Sequence, residues 1–191
     1  WSSDVCSSDW HIYVDGAELQ NFEVQEIRKA VVYVSQEDFL FTASVRENLK
    51  MGNEEISDEE MIEISRKMGV HQFVSKMERE YDSVLEERGK NLSKGQRQKL
   101  SLTRAILRHP KILILDEATS NMDSISEREI LNYIKGIRDI TLILISHRIN
   151  VIADSDCIYV LQKGNIVARG TDEQLKEQCE LYRQLYGEEE K

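Results

Sequence analysis

The chain is short of several things, and each shortage removes a class of function. It has one proline, Pro110, among 191 residues. No apolar run approaches the roughly 18 residues a membrane-crossing helix needs, so nothing in it reads as a membrane span. Its three cysteines, Cys6, Cys157 and Cys179, show neither metal-ligand spacing nor an even-numbered framework, which suits a reducing cytosol. Cys157 and Cys179 read as small, semi-buried side chains. Positive charge is scarce: 25 Lys and Arg stand against 35 Asp and Glu, a formal net charge of −10. That balance speaks against a nucleic-acid partner, which needs clustered cations for phosphate contacts. It does not speak against nucleotide binding, where local loops and a metal offset the phosphate charge. The glycine pattern GxxxxGK[ST] that cradles nucleotide phosphates is also absent. None of the nine glycines falls in it, and the nearest imitation, Gly89-Lys90, is followed by Asn91.

What is present is an alternation of strand-like and helix-like segments over a 40% hydrophobic chain of one-domain length. The first ten residues, WSSDVCSSDW, stand apart, because they repeat Ser-Ser-Asp and have neither apolar periodicity nor the features of a signal peptide. They read as translated adapter or assembly sequence joined to the frame near His11, with a native leader as the alternative. Ile12–Val14 is a short strand ended by Asp15-Gly16, and Val31–Ser35, Ile112–Leu115 and Leu142–Ile145 are unbroken apolar runs of strand length. Continuous apolarity predicts strands covered on both faces, as in a parallel sheet flanked by helices. Ile158–Leu161 and Ile166–Ala168 flank Lys163-Gly164-Asn165, a hairpin expected at a sheet edge. Capping boxes at Ser57–Glu60 and Ser124–Glu127 open two helices, and Thr171–Gln174 opens a final helix ending in acidic residues. From about Thr42 to Leu92 there are helix signals and no convincing strand, which predicts a helical subdomain inserted into an α/β core.

Chemistry concentrates at a few points. In Lys111–Ser120, KILILDEATS, a buried strand delivers Asp116 and Glu117 at its carboxyl end, where open α/β sheets bind ligands. Carboxylates there can reach a metal and a water, although an apolar run followed by two acids is alone a weak motif. Ser93-Lys94-Gly95-Gln96 is a capping box for the helix Arg97–Leu107, stopped near Pro110, and a helix N-terminus is also an anion site. Gly95 admits close approach to its backbone. Gln36 follows the strand VVYVS and His147 closes TLILIS; singly, a loop residue and a structural histidine account for them.

In this order, the segments around Gln36, NLSKGQ (91–96), KILILDEATS (111–120), Asp123 and TLILISHR (141–148) resemble the Q-loop, signature, Walker B strand, D-loop and switch of an ATP-binding cassette. The resemblance covers nearly everything from His11 to Tyr186. Leu85–Gly89, LEERG, resembles the loop that meets the transmembrane domain in the exporter branch, with Glu86 where glycine is usual. Phe39–Phe41 with Ser44–Asn48, and Gly170–Leu175 with Leu181-Tyr182, also match exporters. The resemblance implies a P-loop NTPase-like α/β core, a partial and mostly parallel sheet with flanking helices and an inserted helical subdomain. Its expected divisions are 1–10 leader, 11–41 partial core with the Q-loop, 42–92 helical subdomain, 93–187 signature helix to the end of the core, and 188–191 acidic tail.

By the same resemblance the cofactors are ATP and Mg²⁺. Asp116 and Gln36 would hold the metal, while Glu117, His147 and Gln36 would serve hydrolysis by orienting water and γ-phosphate. Ser93, Lys94, Gly95 and Gln96 would act on nucleotide held by a second nucleotide-binding domain, in a homo- or heterodimer. Asp123 would communicate across that dimer, and Lys94 and Asn121-Met122 depart from the usual LSGGQ and SALD. A transmembrane domain of the same transporter would be the other partner, placing the chain at the cytoplasmic face of the membrane. Lacking the phosphate loop, the chain alone is expected to bind ATP weakly, hydrolyse it negligibly and expose core surface. Two other classes stay in view: a soluble cassette protein of DNA repair or translation, opposed by the absence of coiled coils and basic arms, and a non-catalytic interaction module or a gene fragment with no activity.

Overall fold

The computed structural model describes residues 11–36 and 39–189; the leader expected over 1–10 lies outside them. The described chain opens with a hairpin, β1 (Tyr13–Val14) and β2 (Ala17–Glu18), antiparallel. Its turn, Asp15-Gly16, has φ of 49° and 79°, the paired positive values of a two-residue hairpin turn. The return strand β2 was not visible in the sequence, since two residues are too few to set a period.

Helix α1 (Val24–Ala30) leads into β3 (Val31–Val34), followed by α2 (Val45–Lys50), α3 (Asp58–Lys67), α4 (His71–Val74) and α5 (Lys94–Leu107). Then come β4 (Ile112–Asp116), α6 (Ser124–Lys135), β5 (Thr141–Ile145) and α7 (Ile149–Ile152). The chain continues through β6 (Ile158–Gln162), β7 (Asn165–Gly170), α8 (Asp172–Gln178) and α9 (Glu180–Glu189). Strands β3, β4 and β5 form a parallel sheet in that order, with Val34 opposite Leu115 and Leu115 opposite Leu144. Parallel neighbours need crossovers, which α2–α5 and α6 supply.

Helix ends follow local chemistry. Ser44 with Glu47, Ser93 with Gln96, and Thr171 with Gln174 each complete a reciprocal capping box. Ser57 accepts from the Glu60 amide and opens α3. The box expected at Ser124–Glu127 does not form. Asp123, one residue earlier and an equally good capping residue, takes the cap instead, accepting the Ser126 N–H at 2.9 Å. The single final helix divides at Cys179, whose extended backbone (φ −120°, ψ 109°) separates α8 from α9. The break lets the Tyr182 and Tyr186 hydroxyls both reach Asp172, at 2.9 and 2.6 Å. Helix α9 runs through Glu189.

One core joins Val32, Val34, Leu113 and Leu115 of the sheet to Leu100, Leu102 and Ile106 of α5 and to Ile130, Leu131 and Ile134 of α6. Val45, Leu49, Met61 and Met68 of the helical segment enter the same core. Covering of both sheet faces, expected from the unbroken apolar runs, is not what forms. Tyr33, Ile143 and Ile145, on the opposite face, are exposed. An unbroken run shows that both faces are apolar; it does not supply the second layer. Likewise β6 and β7 pair only with each other among the described residues, rather than lying at the edge of the parallel sheet. Their turn, Lys163-Gly164, has φ of 50° and 79°. A separate small core beneath them joins Ile149, Ile158, Val160, Leu175, Cys179 and Tyr182. Cys179 is buried there, whereas Cys157, expected to be semi-buried, is exposed and accepts from Arg169 Nε at 3.3 Å. Among the described residues, no helix is long and apolar enough to cross a membrane.

Candidate nucleotide site

The carboxyl ends of the parallel strands bring Asp116, Glu117 and His147 together. Asp116 is the last residue of β4, and Glu117 follows with φ +51°, a left-handed backbone that few non-glycine residues adopt. The Glu117 N–H donates to the Ile145 carbonyl at 2.9 Å, so β4 and β5 stay tied one step past the ladder. The strained turn directs the Glu117 side chain to His147, whose Nδ1 lies 2.6 Å from Glu117 Oε1. With an ionised carboxylate as acceptor, Nδ1 carries the proton, which leaves Nε2 on an exposed ring. The imidazolium form can donate at both nitrogens and so bridge Glu117 to an anion; the neutral form cannot.

A residue not singled out from the sequence joins them. The Tyr33 hydroxyl donates to Asp116 Oδ2 at 2.8 Å, and this bond, with some desolvation, raises the phenol above its ordinary range. Tyr33 and Asp116 lie on the uncovered sheet face. The signal for it was the two-residue alternation in Val31–Val34, which sends Tyr33 away from buried Val32 and Val34. Gln36 lies exposed two residues beyond β3, at the same end of the sheet. Among the described residues no hydrogen bond joins it to Asp116 or Glu117.

Ser93, Lys94, Gly95 and Gln96 form a second group at the start of α5. Ser93 Oγ accepts from the Gln96 N–H at 3.2 Å and Gln96 Oε1 accepts from the Ser93 N–H at 2.9 Å. Exposed Lys94 begins the helix without disturbing that cap. Gly95 has a packing reason beyond ligand approach: a Cβ there would sit 3.0 Å from the Asn121 carbonyl oxygen. Buried Gln98 takes the Asn121 N–H on its Oε1 at 3.0 Å, and Lys99 Nζ donates to Ser126 Oγ at 2.8 Å. Met122 is buried in the main core. The Asn121–Asp123 turn is thus fastened to the start of α5 by contacts between segments distant in the chain.

Asp123 carries a pH test. Hydrogen bonds from the Ser126 backbone, then its hydroxyl, hold its carboxyl below the ordinary aspartate value. A depressed folded value means the cap contributes fully above the unfolded value and is lost as pH falls through the folded one. Amide exchange protection in the first turn of α6 should therefore fall on acidification below the normal aspartate range. Asp123→Asn, which still accepts but does not titrate, should flatten that response.

The ABC transporter family pattern matches residues 8–120, more than half the chain. The chain belongs to the ABC transporter family. It is 41% identical over 172 residues to the heterocyst differentiation ATP-binding protein HepA of Nostoc sp., covering 90% of this chain and 28% of that protein. It is 39% identical to the leptomycin B resistance protein pmd1 of Schizosaccharomyces pombe, covering 93% of this chain and 13% of that protein. It is 38% identical to a putative export ATP-binding/permease protein of Rickettsia conorii, covering 93% and 31%. Its fold matches the structure of a bacterial Atm1-family ABC exporter with ATP bound, with a TM-score of 0.89 and 29% identity, over 94% of this chain and 32% of that one. The chain spans under a third of the length of these relatives. The ABC family fold accounts for the parallel sheet and helices described above.

Proposed function

We propose that the chain is the ATP-binding and ATP-hydrolysing part of an ABC exporter, coupling hydrolysis to transport across a membrane. The observation that carries this reading is the Glu117–His147 pair at the end of the Walker B strand, 2.6 Å apart beside Asp116. In this reading Glu117 orients and deprotonates the attacking water, and His147, held to Glu117 through Nδ1, faces the γ-phosphate. Asp116 and Gln36 offer oxygen donors only, and among the described residues no cluster of three His, Cys, Asp or Glu could hold a metal alone. That donor set fits Mg²⁺, which is held by one or two carboxylates together with nucleotide phosphates and water. When bound, the metal neutralises charge developing on the phosphates. Tyr33 holds Asp116 Oδ2 and thereby limits which oxygen faces a ligand.

Ser93–Gln96, at the N-terminus of a 14-residue helix, suit a nucleotide held by a second nucleotide-binding domain. A transmembrane domain at the cytoplasmic face of the membrane is the other partner in this reading. The test has two arms. The 191-residue chain alone, which has no GxxxxGK[ST] loop, should give weak ATP binding and negligible phosphate release. A longer transporter that carries it, reconstituted in lipid vesicles, should hydrolyse Mg²⁺·ATP and lose that activity with Asp116→Asn. A longer protein that neither binds nor hydrolyses ATP would sink the reading, and low-micromolar ATP affinity of the chain alone would overturn the need for an outside phosphate loop.

A further inference from the structure

Among the buried described residues Glu127 is the only one with a charged side chain. Its two oxygens are taken by one guanidinium: Arg148 Nη1 donates to Oε1 at 3.0 Å and Nη2 to Oε2 at 2.7 Å. Burying such a pair carries a large desolvation cost, and an apolar pair of similar volume commonly stabilises as well or better. A two-pronged contact does what an apolar pair does not, since it fixes separation and plane together.

The two residues sit beside the functional loops. Arg148 follows His147 directly, caps the start of α7, and donates its backbone N–H to Ser146 Oγ at 3.0 Å. Glu127 lies one turn into α6, and its N–H donates to the Asp123 carbonyl at 2.9 Å. The His147 side chain is 68% exposed, so packing alone does little to hold its ring. Its placement depends on the one bond to Glu117 and on whatever anchors the adjoining backbone. The Arg148 fork is one such anchor, beside buried Ile149. At this same N-terminal end α6 is fastened to α5 by Lys99 on Ser126, and the turn before it by Gln98 on the Asn121 amide.

We propose that Glu127 and Arg148 form a positioning strut that sets His147 against Glu117 and ties the switch segment to the Asn121–Asp123 turn and the signature helix. Neither residue is placed to touch nucleotide; both act through His147. The inference deepens the ATPase reading and rests on it for its consequence in catalysis. The geometry it asserts can be tested without activity.

The test uses the 191-residue chain labelled with ¹⁵N-histidine, as Glu127→Gln, Arg148→Lys and, for reference, Glu117→Ala. Glu127→Gln removes the charge at nearly constant shape, and Arg148→Lys keeps the charge but loses the fork. Each variant is checked by thermal unfolding, and the ring nitrogens of His147 are followed by NMR. Both strut variants should stay folded and shift the His147 Nδ1 resonance in the direction that Glu117→Ala shifts it, with amide shifts at Asn121–Asp123. Unchanged His147 resonances in either folded variant would overturn the proposal. Loss of the fold in both variants would overturn it too, by making the pair a core support rather than a positioning device. An inactive transporter with a shifted His147 ring would defeat the ATPase reading and leave the strut standing.

Discussion

Glu117→Gln is expected to lower steady-state ATP hydrolysis by the assembled transporter by about 10²–10⁴-fold, the range for losing a positioned general base. ATP affinity should change little. The glutamine carbonyl can still accept from His147 Nδ1, now 2.6 Å from Glu117 Oε1, so the ring keeps its place. What disappears is a group able to take a proton from water. The left-handed backbone at residue 117 is common to both side chains, so its strain cancels in the comparison. Phosphate release and equilibrium ATP binding, measured on the same preparation, separate the outcomes. Hydrolysis within a few-fold of the parent would remove Glu117 from the role of base, and a parallel loss of binding would place it in nucleotide anchorage instead.

The second large effect concerns the fold. Leu113→Ala should cost about 2–5 kcal/mol, the range for truncating a fully buried leucine and leaving a cavity. Leu113 is completely buried between Val32 and Leu142 in the sheet register, inside the core shared with α5 and α6. Ile143→Ala, one residue beyond Leu142 on β5 and 44% exposed, should cost about 1 kcal/mol or less. The two side chains are of like size, so the contrast reports which sheet face has a layer on it. Urea unfolding of both variants gives the comparison. Equal losses would mean that the Ile143 face is covered in solution. Ile143→Lys, on the same face, should raise solubility by interrupting the apolar surface formed with Tyr33 and Ile145.

Much of the layout could be read from local pattern. The runs Val31–Ser35, Ile112–Leu115 and Leu142–Ile145, which become the strands ending at Val34, Asp116 and Ile145, stood out because unbroken β-branched and leucine-rich segments have few alternatives at that length. The boxes at Ser93 and Thr171 were legible because capping is chemistry between residues three apart. The Ser124 box misplaced the cap by one residue, as the pattern does not weigh Asp123 against Ser124 as acceptor. The break at Cys179 was invisible because it follows from Tyr182 and Tyr186 seeking Asp172 across two helices.

The candidate site divides along the same line. Asp116, Glu117, His147, Gln36 and Ser93–Gln96 were legible because each lies in a short motif whose order along the chain is itself informative. Tyr33 on Asp116, 83 residues apart, and Arg148 on Glu127, 21 apart, were not, since a hydrogen bond between distant segments leaves no trace in either segment.

By itself, then, the sequence determined the family, the three runs of the parallel sheet, the capped starts of α3, α5 and α8, and the absence of a GxxxxGK[ST] loop from this chain, because these depend on residue type and spacing over short distances. Only the tertiary structure decided that one sheet face is covered and the other open, and that Glu117 turns onto His147. It alone seated the buried Glu127 carboxylate on Arg148, next to His147. Those outcomes depend on which surfaces meet when strands pair in register, and that register is a property of the folded chain rather than of any segment in it.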